Sequence, residues 1–253
     1  MNGQQLLDGM REAYANFNSY SDVGIVESPN QPGPGLEFQT YFKRPLMYRF
    51  QWLSWPPYFG KDKPANENVV WTDGQNFQSS YFGQERENQS LSMMLAGATG
   101  VSSGSVLAIF KILAPEAVTG ARRAWYKMSE IISVTEEAIA DADCFHITGI
   151  TENGEPIEVW LEKESFLVRR IKETLVLTEE LRAKILAHQQ TNENVERMKS
   201  SMQKTGLPAE AIEKAMARLS KAIKPGSSEY ILDYRSVSVN EPVDDSFFTK
   251  LNP

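Results

Sequence analysis

The sequence predicts a mainly antiparallel β fold with helices, arranged as one curved sheet or an open barrel. Apolar and polar residues alternate with a period of two through most of the chain, which is typical of strands with one buried face. Two dipeptides characteristic of tight hairpins, Asp73-Gly74 and Asn153-Gly154, separate such runs. Several strands in sequence order favour this arrangement over a parallel α/β fold. The 253 residues, 41% of them hydrophobic, are enough to bury a proper core.

The N-terminal part begins with a predicted helix and continues as strands. Apolar residues recur at helical spacing over residues 3–18, namely at Leu6, Leu7, Met10, Tyr14 and Phe17. After the turn-rich stretch PNQPGPG, alternation places four residues on one face of a strand: Leu36, Phe38, Thr40 and Phe42. Pro45 lacks an amide hydrogen and marks the end of this strand, so the next strand runs from about Met47 to Trp55.

The middle of the chain contains a predicted hairpin and a segment of small residues. Strands at 69–72 and 76–82 flank Asp73-Gly74, and this dipeptide predicts a type I′ turn. The segment 96–105, AGATGVSSGS, lacks the lysine and the glycine spacing of a phosphate-binding loop. We therefore expect a simple loop there, leading into a short helix at 106–113.

Residues 178–224 break the alternation and predict two helices, separated at Gly206 and with Pro208 in the first turn of the second. We interpret them as an insertion within a single domain that covers residues 1–253. The insertion contains nine Lys/Arg and six Asp/Glu, so its formal charge is +3 while the rest of the chain carries −10. It is either a hairpin packed on the sheet with solvated basic side chains, or a docking element for an acidic partner or an anionic membrane surface. The candidate docking residues are Lys214, Arg218 and Lys221.

Composition excludes several classes of protein. The net charge of −7 and the pI near 5.1 argue against nucleic-acid binding, which requires a dominant positive field. The single cysteine, Cys144, cannot form an internal disulfide, and the sequence predicts no metal site and no cofactor. No apolar run is long enough for a transmembrane segment. The N-terminus lacks the apolar region of a signal peptide, so an exported protein would have lost its signal peptide before this sequence begins.

Four stretches carry a resemblance to a known family: FKRPLMYRFQW, VVWTDGQNFQSSY, AGATGVSSGSVLAIFKIL and SVNEPVDDSFFTKLNP. Together they resemble the bacterial periplasmic lipoprotein-carrier superfamily, which includes the outer-membrane lipoprotein-sorting carrier, its receptor and related sigma-factor regulators. In that family a strand ends in a basic-Arg-Pro motif, matched here by Lys43, Arg44 and Pro45. The tail is similar to the family's ending at Asp245, Phe247, Phe248 and Pro253. The resemblance covers residues 3–175 and 228–253; the helical insertion is foreign to the carrier.

The resemblance implies a half-open β-barrel whose concave apolar face is covered by a helical lid, with Arg44 holding the lid closed. It also implies a non-enzymatic periplasmic or exported protein that binds or carries lipid or lipoprotein acyl chains, with peripheral contact to a membrane at most. The candidate cavity residues are Leu36, Phe38, Phe42, Tyr48, Phe50, Trp52, Trp71, Phe77 and Tyr81. An ordinary packed core would show the same alternation, and the sequence does not distinguish the two.

Two other functions fit the sequence. The first is an interaction or regulatory module of the cell envelope, which has a filled interior and contacts a protein partner through the insertion. The second is a hydrolase that pairs Cys144 with His146, two residues apart and therefore on one strand face. No third orienting group accompanies that pair, so we predict that the protein is not an enzyme.

Overall fold

The structure is a computed structural model of the chain, and it contains two compact units. The first comprises Met1–Thr174 and Glu229–Pro253, and the second comprises Leu175–Ser228. The predicted insertion lies within the second unit; a single domain over the whole chain stays a prediction. The described residues are 1–29, 35–54, 66–81, 83–118, 125–189, 191, 195–196, 199–200, 210, 213 and 226–249.

The described residues contain one sheet of eleven strands. The strands are β1 (Ser19–Glu27), β2 (Leu36–Lys43), β3 (Met47–Ser54), β4 (Asn66–Thr72), β5 (Phe77–Tyr81), β6 (Gln84–Asn88), β7 (Met128–Ile139), β8 (Ala142–Thr151), β9 (Pro156–Glu162), β10 (Val168–Leu177) and β11 (Gly226–Val239). Their order is β6-β5-β4-β3-β2-β1-β11-β10-β9-β8-β7, with antiparallel pairing. Strands β6 and β7 are the two edges of the sheet and do not pair with each other, so the sheet is open. This confirms the predicted fold class, a half-open antiparallel barrel with helices.

Helices in the described residues are α1 (Gly3–Ala15), α2 (Leu91–Val101), α3 (Ser105–Ala108), α4 (Phe110–Leu113) and α5 (Glu179–Gln189), with short 3-10 turns at Pro115–Val118 and Asp245–Phe248. Helix α1 starts at a reciprocal cap. The side chain of Asn2 accepts from the Gln5 amide at 2.9 Å, and the Gln5 side chain accepts from the Asn2 amide at 2.8 Å. The predicted helix is confirmed, although it ends at Ala15 rather than Asn18.

The two faces of the sheet differ in what covers them. On β2 and β3, Phe38 pairs with Trp52 and Phe42 pairs with Tyr48, so these aromatic residues share one face. That face, called the inner face below, belongs to the main hydrophobic cluster together with helices α1 to α4. The predicted alternation of β2 is confirmed, because residues from Leu36 onward are alternately buried and half-buried.

The segment of small residues was predicted as a loop, and that prediction is wrong. Its first six residues, 96–101, belong to helix α2. The Ser90 side chain accepts from the Met93 amide and caps the helix. Met94, Leu95 and Ala98 form part of the buried face of this helix. Helix α2 therefore owes its stability to tertiary packing rather than to the propensity of its residues. The predicted helix at 106–113 is present as α3 and α4, which meet at Ile109.

The hairpin between β4 and β5 is present, but its turn differs from the predicted type I′ turn. Thr72 pairs with Phe77, so four residues form the connection. The Asp73 carboxylate accepts from the amides of Gln75 and Asn76, and Gly74 adopts φ +95°. An aspartate that bonds amides two and three residues ahead stabilises the longer loop.

Gly24 on β1 marks a position where two elements approach closely. A Cβ atom at this position would lie 2.5 Å from the Phe38 ring and 2.6 Å from the main-chain oxygen of Asp233. Because that oxygen belongs to the neighbouring strand, it cannot move aside without distorting the sheet. We expect Gly24→Ala to lower the free energy of unfolding by about 2 kcal/mol in urea denaturation. The matched change Gly100→Ala, where a Cβ meets nothing within 4 Å, should leave stability unchanged or raise it slightly; equal losses in both variants would contradict the packing explanation.

Candidate functional site

The inner face is an apolar surface built mainly from aromatic side chains. Phe38 stacks on Phe50 with ring centroids 5.5 Å apart, and Phe50 lies 5.5 Å from Trp52. Eight of the nine candidate cavity residues lie on this face: Leu36, Phe38, Phe42, Tyr48, Phe50, Trp52, Phe77 and Tyr81. All but Phe77 and Tyr81 are buried. The structure thus brings these residues together, while their role in binding stays a prediction.

Trp71 is the exception, and its assignment to the cavity needs correction. It pairs with Arg49, whereas its neighbour Val70 pairs with Phe50. Trp71 therefore lies on the opposite face of the sheet, called the outer face below. It is buried there, so apolarity alone did not distinguish the two faces.

Helices α1 to α4 cover the inner face. Tyr48 contacts Phe110 of α4 with ring centroids 4.3 Å apart, and Phe42 meets the same ring edge-on. The buried side chains that the helices contribute include Leu6, Leu7, Met10, Tyr14, Met94, Leu95, Val106, Phe110 and Leu113. In this structure the helices are closed over the sheet, and any ligand between the two layers must separate them.

Arg44 connects the sheet to two of these helices. Its Nε donates to the Phe17 carbonyl at 2.8 Å, and one Nη donates to the carbonyls of Tyr14 (3.2 Å), Ala15 (2.9 Å) and Leu113 (3.2 Å). Tyr14 and Ala15 end α1, and Leu113 ends α4, so a cation sits where the helix dipoles are negative. One side chain therefore ties both helices to the β2–β3 connection.

Other polar side chains strengthen this closure. Each donates from a ring to a main-chain carbonyl of α3 or α4. The pairs are Tyr48 to Val106 (2.6 Å), Trp125 to Ala108 (2.8 Å) and Tyr126 to Lys111 (3.3 Å). The Tyr14 hydroxyl of α1 accepts from the Val168 amide at 3.1 Å. Sequence reasoning missed Trp125 and Tyr126, which follow a segment that gave no regular pattern.

Asp22 is a buried carboxyl group on the inner face, and sequence reasoning did not select it. It is 3% exposed and pairs across strands with Thr40. Burial raises its pKa to about 7, because hydrogen bonds from Thr40 and from the Tyr20 hydroxyl, which lies 2.8 Å away, offset only part of the desolvation cost. The available signal was its spacing: Tyr20, Asp22, Gly24 and Val26 are alternate residues of one strand.

The C-terminal motif packs on the outer face. The Arg49 guanidinium donates to the Phe247 carbonyl at 3.2 Å, and the Phe247 ring lies 4.7 Å from Tyr41. Lys43 pairs with Asp245 at 2.6 Å. Burial lowers the pKa of Arg49. The tail thus covers the sheet behind the aromatic inner face; Pro253 lies outside the described residues.

The arrangement of Cys144 and His146 does not favour a thiol–base pair. The two ring nitrogens of His146 face Glu158 at 2.9 Å and Glu137 at 3.4 Å, and its ring stacks on Trp160 at 4.1 Å. Cys144 is fully buried, its thiol contacts the Ala142 carbonyl, and burial raises its pKa. Histidine and thiol therefore engage other groups. Among the described residues, no cluster of three or more His, Cys, Asp or Glu side chains could hold a metal ion.

The second unit is described only in part. Helix α5 spans Glu179–Gln189, and Lys199 pairs with Glu213 at 2.7 Å. The predicted docking residues Lys214, Arg218 and Lys221 lie outside the described residues, so their role stays a prediction. Within the described part of the chain, no helix combines the length and the apolar character needed to cross a membrane.

Comparison with known proteins returned structures only. No protein-family model matches the chain, and no curated protein matches it significantly. It is similar to LprF from Mycobacterium bovis (10% identity, TM-score 0.44, 95% of this chain and 94% of that chain). It is similar to the MucB chain of the Pseudomonas aeruginosa MucA/MucB complex (11%, TM-score 0.43), but spans only 59% of that chain. A LolA superfamily protein from Nitrosomonas europaea is aligned over 99% of this chain and 98% of its own (12%, TM-score 0.33).

Proposed function

We propose that the protein is a non-enzymatic carrier that holds lipid or lipoprotein acyl chains between the inner face and helices α1 to α4. The observation that carries the proposal is the contrast between the two kinds of contact there. The surfaces that face each other are apolar and aromatic, while Arg44 ties two covering helices to the sheet through hydrogen bonds at one end. Acyl chains that lie against the inner face in place of the helices bury its apolar area in turn. This burial stabilises the bound ligand by about 25 cal/mol per Å², less the free energy cost of ordering the ligand.

The covering helices are built to separate from the sheet. Helices α3 and α4 have four residues each, and α2 contains Gly97 and Gly100. Such helices depend on packing for their stability, so opening them costs less than opening the strands. Within α2, Met94 is buried and Met93 is exposed. Flexible methionine side chains suit ligands of varied shape.

The location and the partners follow from the same proposal. A carrier of the superfamily that the motifs resemble would act outside the cytoplasm, so we place this protein in the periplasm or among exported proteins. Its ligands would be lipids or the acyl chains of lipoproteins. The alternative, a regulatory module that binds an envelope protein through residues 178–224, rests on Lys214, Arg218 and Lys221, which lie outside the described part of the chain.

The test uses tryptophans on the two faces of the sheet as reporters. A phospholipid with brominated acyl chains is titrated into the protein, because bromine quenches tryptophan fluorescence only at short range. We expect saturable quenching that unbrominated phospholipid reverses. Trp52 lies on the inner face and Trp71 on the outer face, so Trp52→Phe should remove a large part of the quenching and Trp71→Phe should leave it intact.

Both variants keep an aromatic ring, which makes them matched controls for each other. Absence of saturable quenching in the native protein would overturn the carrier proposal. Quenching that is lost in Trp71→Phe and kept in Trp52→Phe would place the acyl chains on the outer face and would equally overturn it.

A further inference from the structure

Three polar side chains form a row across the inner face, on three neighbouring strands. The register makes Trp52 of β3 a direct neighbour of Asn68 of β4, and Asn68 a direct neighbour of Tyr81 of β5. The rings of Trp52 and Tyr81 lie 5.9 Å apart. Trp52 is 2% exposed and Asn68 is 3% exposed. We call these three residues the polar row.

Each residue of the polar row has a buried polar atom that bonds to none of the described residues: Trp52 Nε1, Asn68 Oδ1 and the Tyr81 hydroxyl. The Asn68 amide nitrogen donates to Ser54 Oγ at 3.2 Å and to the Asn66 carbonyl at 3.1 Å, which leaves its oxygen on the other side of the group. Burial raises the pKa of Tyr81, and hydrogen bonding with the Ser79 side chain offsets this only in part. The Tyr81 hydroxyl lies near Ser79 without the geometry of a formed hydrogen bond, so it can still donate to a ligand. Most buried polar groups in proteins are paired, so three unpaired groups at adjacent positions indicate a ligand.

We infer that the polar row binds the carbonyl groups that join acyl chains to their backbone; this inference rests on the proposed carrier function. The indole N–H of Trp52 and the hydroxyl of Tyr81 donate to an ester or amide carbonyl oxygen. Asn68 Oδ1 accepts from a hydroxyl or amide N–H of the same ligand. The chemistry of the three atoms, two donors and one acceptor, matches the linkage region of a glycerolipid or an acylated peptide.

The position of the row in the fold fits this assignment. Trp52 lies near the end of β3, and Arg44 lies just before its start, with Tyr48 and Phe50 between them on the inner face. An acyl chain whose carbonyl is held at the polar row therefore has an aromatic surface to lie on. Above the row, α2 passes Tyr81 at Gly97, where a Cβ atom would lie 3.2 Å from the hydroxyl. A glycine here keeps the space beside that hydroxyl open.

The experiment compares two ligands that differ only in their carbonyl groups. Dioctanoylglycerol and the dioctyl ether of glycerol are each used to displace phenylnaphthylamine, a neutral fluorescent probe, from the full chain. We expect the native protein to bind the ester about tenfold more tightly than the ether, as one or two hydrogen bonds would give. Tyr81→Phe and Trp52→Phe should each reduce that preference, and the double variant should bind both ligands about equally. The readout in each variant is the ratio of ester affinity to ether affinity, because any contact area lost with the side chain weakens both ligands alike.

Tyr41→Phe is the matched control, because Tyr41 lies on the outer face and donates to Gln39 at 3.1 Å. Equal binding of ester and ether by the native protein, with both displacing the probe, would overturn the polar row and leave the carrier proposal standing. If neither ligand displaces the probe, both fail. Thermal unfolding gives a second readout. Tyr81→Phe should not lower the Tm of the unliganded protein, and a lower Tm would show that the hydroxyl already bonds within the protein and would overturn the inference.

Discussion

Replacing Asp22 with asparagine should stabilise the protein at neutral and alkaline pH. The difference in free energy of unfolding between the variant and the native protein should be roughly 4 kcal/mol larger there than at acidic pH. The reason is the difference between the folded and unfolded pKa of this carboxyl, about 7 against 3.8. Each pKa unit corresponds to about 1.4 kcal/mol. The group is buried on the inner face, and its neighbours Tyr20 and Thr40 are neutral, so neither of them offers a positive charge to stabilise the ionised form.

The sign follows from proton uptake. Below about pH 4 the carboxyl is protonated in both states and contributes no pH dependence. Between about pH 4 and pH 7 the folded protein binds more protons than the unfolded chain, so the native protein loses stability as pH rises. Above about pH 7 the carboxyl is ionised in both states and the loss is complete. The asparagine side chain of the variant does not titrate, so the difference in stability between variant and native protein grows through this window and then levels off.

Urea denaturation at a series of pH values measures this difference directly. Asp141→Asn is the matched control, since it removes a carboxyl group at an exposed position and so separates the effect of burial from the effect of losing a carboxyl group. The asparagine amide brings an extra donor that the buried site must accommodate, and this cost appears equally at every pH. A stability difference between Asp22→Asn and the native protein that does not change from about pH 4 to pH 8 would refute the raised pKa.

The sequence predicted the inner face of β2 and β3 well because only one face of those strands is apolar. Phe38, Phe42, Phe50 and Trp52 alternate with Gln39, Tyr41 and Gln51, and a period of two assigns each set to one face. On β4 the same reasoning failed at Trp71. Val69, Val70 and Trp71 are all buried, so both faces of that strand are covered and no alternation remains to be read.

Tertiary contacts explain what else the sequence could not predict. Gly97 and Gly100 lower the helical propensity of residues 96–101, and the segment is helical because α2 buries Met94 and Leu95 against the sheet. Asp22 has the spacing of an inward position, but an acidic residue in a strand is normally solvated. Only the pairing of β1 with β2 and β11 shows that it is enclosed. The role of Arg44 in holding the helices closed was implied by the family resemblance, and the four carbonyls that accept its hydrogen bonds could be identified only from the fold.

Replacing Arg44 with leucine should loosen the helical cover more than the sheet beneath it. The variant loses hydrogen bonds from a cation to the carbonyls of Phe17, Tyr14, Ala15 and Leu113. Charge-assisted hydrogen bonds contribute about 1.5–3 kcal/mol each when buried, but this guanidinium is partly exposed. We therefore expect the free energy needed to lift helices α1 and α4 from the sheet to fall by about 3 kcal/mol. Arg44→Lys should lie between, because an ammonium group cannot reach both helices with a planar set of donors.

Hydrogen exchange distinguishes a local effect of Arg44 on the covering helices from a general loss of stability. If Arg44 holds the cover closed, amides of α1 and α4 should exchange about a hundredfold faster in Arg44→Leu, while the inner strands β2 and β3 change less. Arg235→Leu, at an exposed position of β11, is the control and should change neither region. The Arg44→Leu variant should also take up brominated phospholipid faster, since ligand entry requires the helices to separate from Phe42, Tyr48 and Phe50. Equal acceleration of exchange in helices and strands would show that Arg44 stabilises the whole fold and not the helical cover in particular. A residue that acts only on the cover changes the free energy of local opening without an equal change in the free energy of global unfolding.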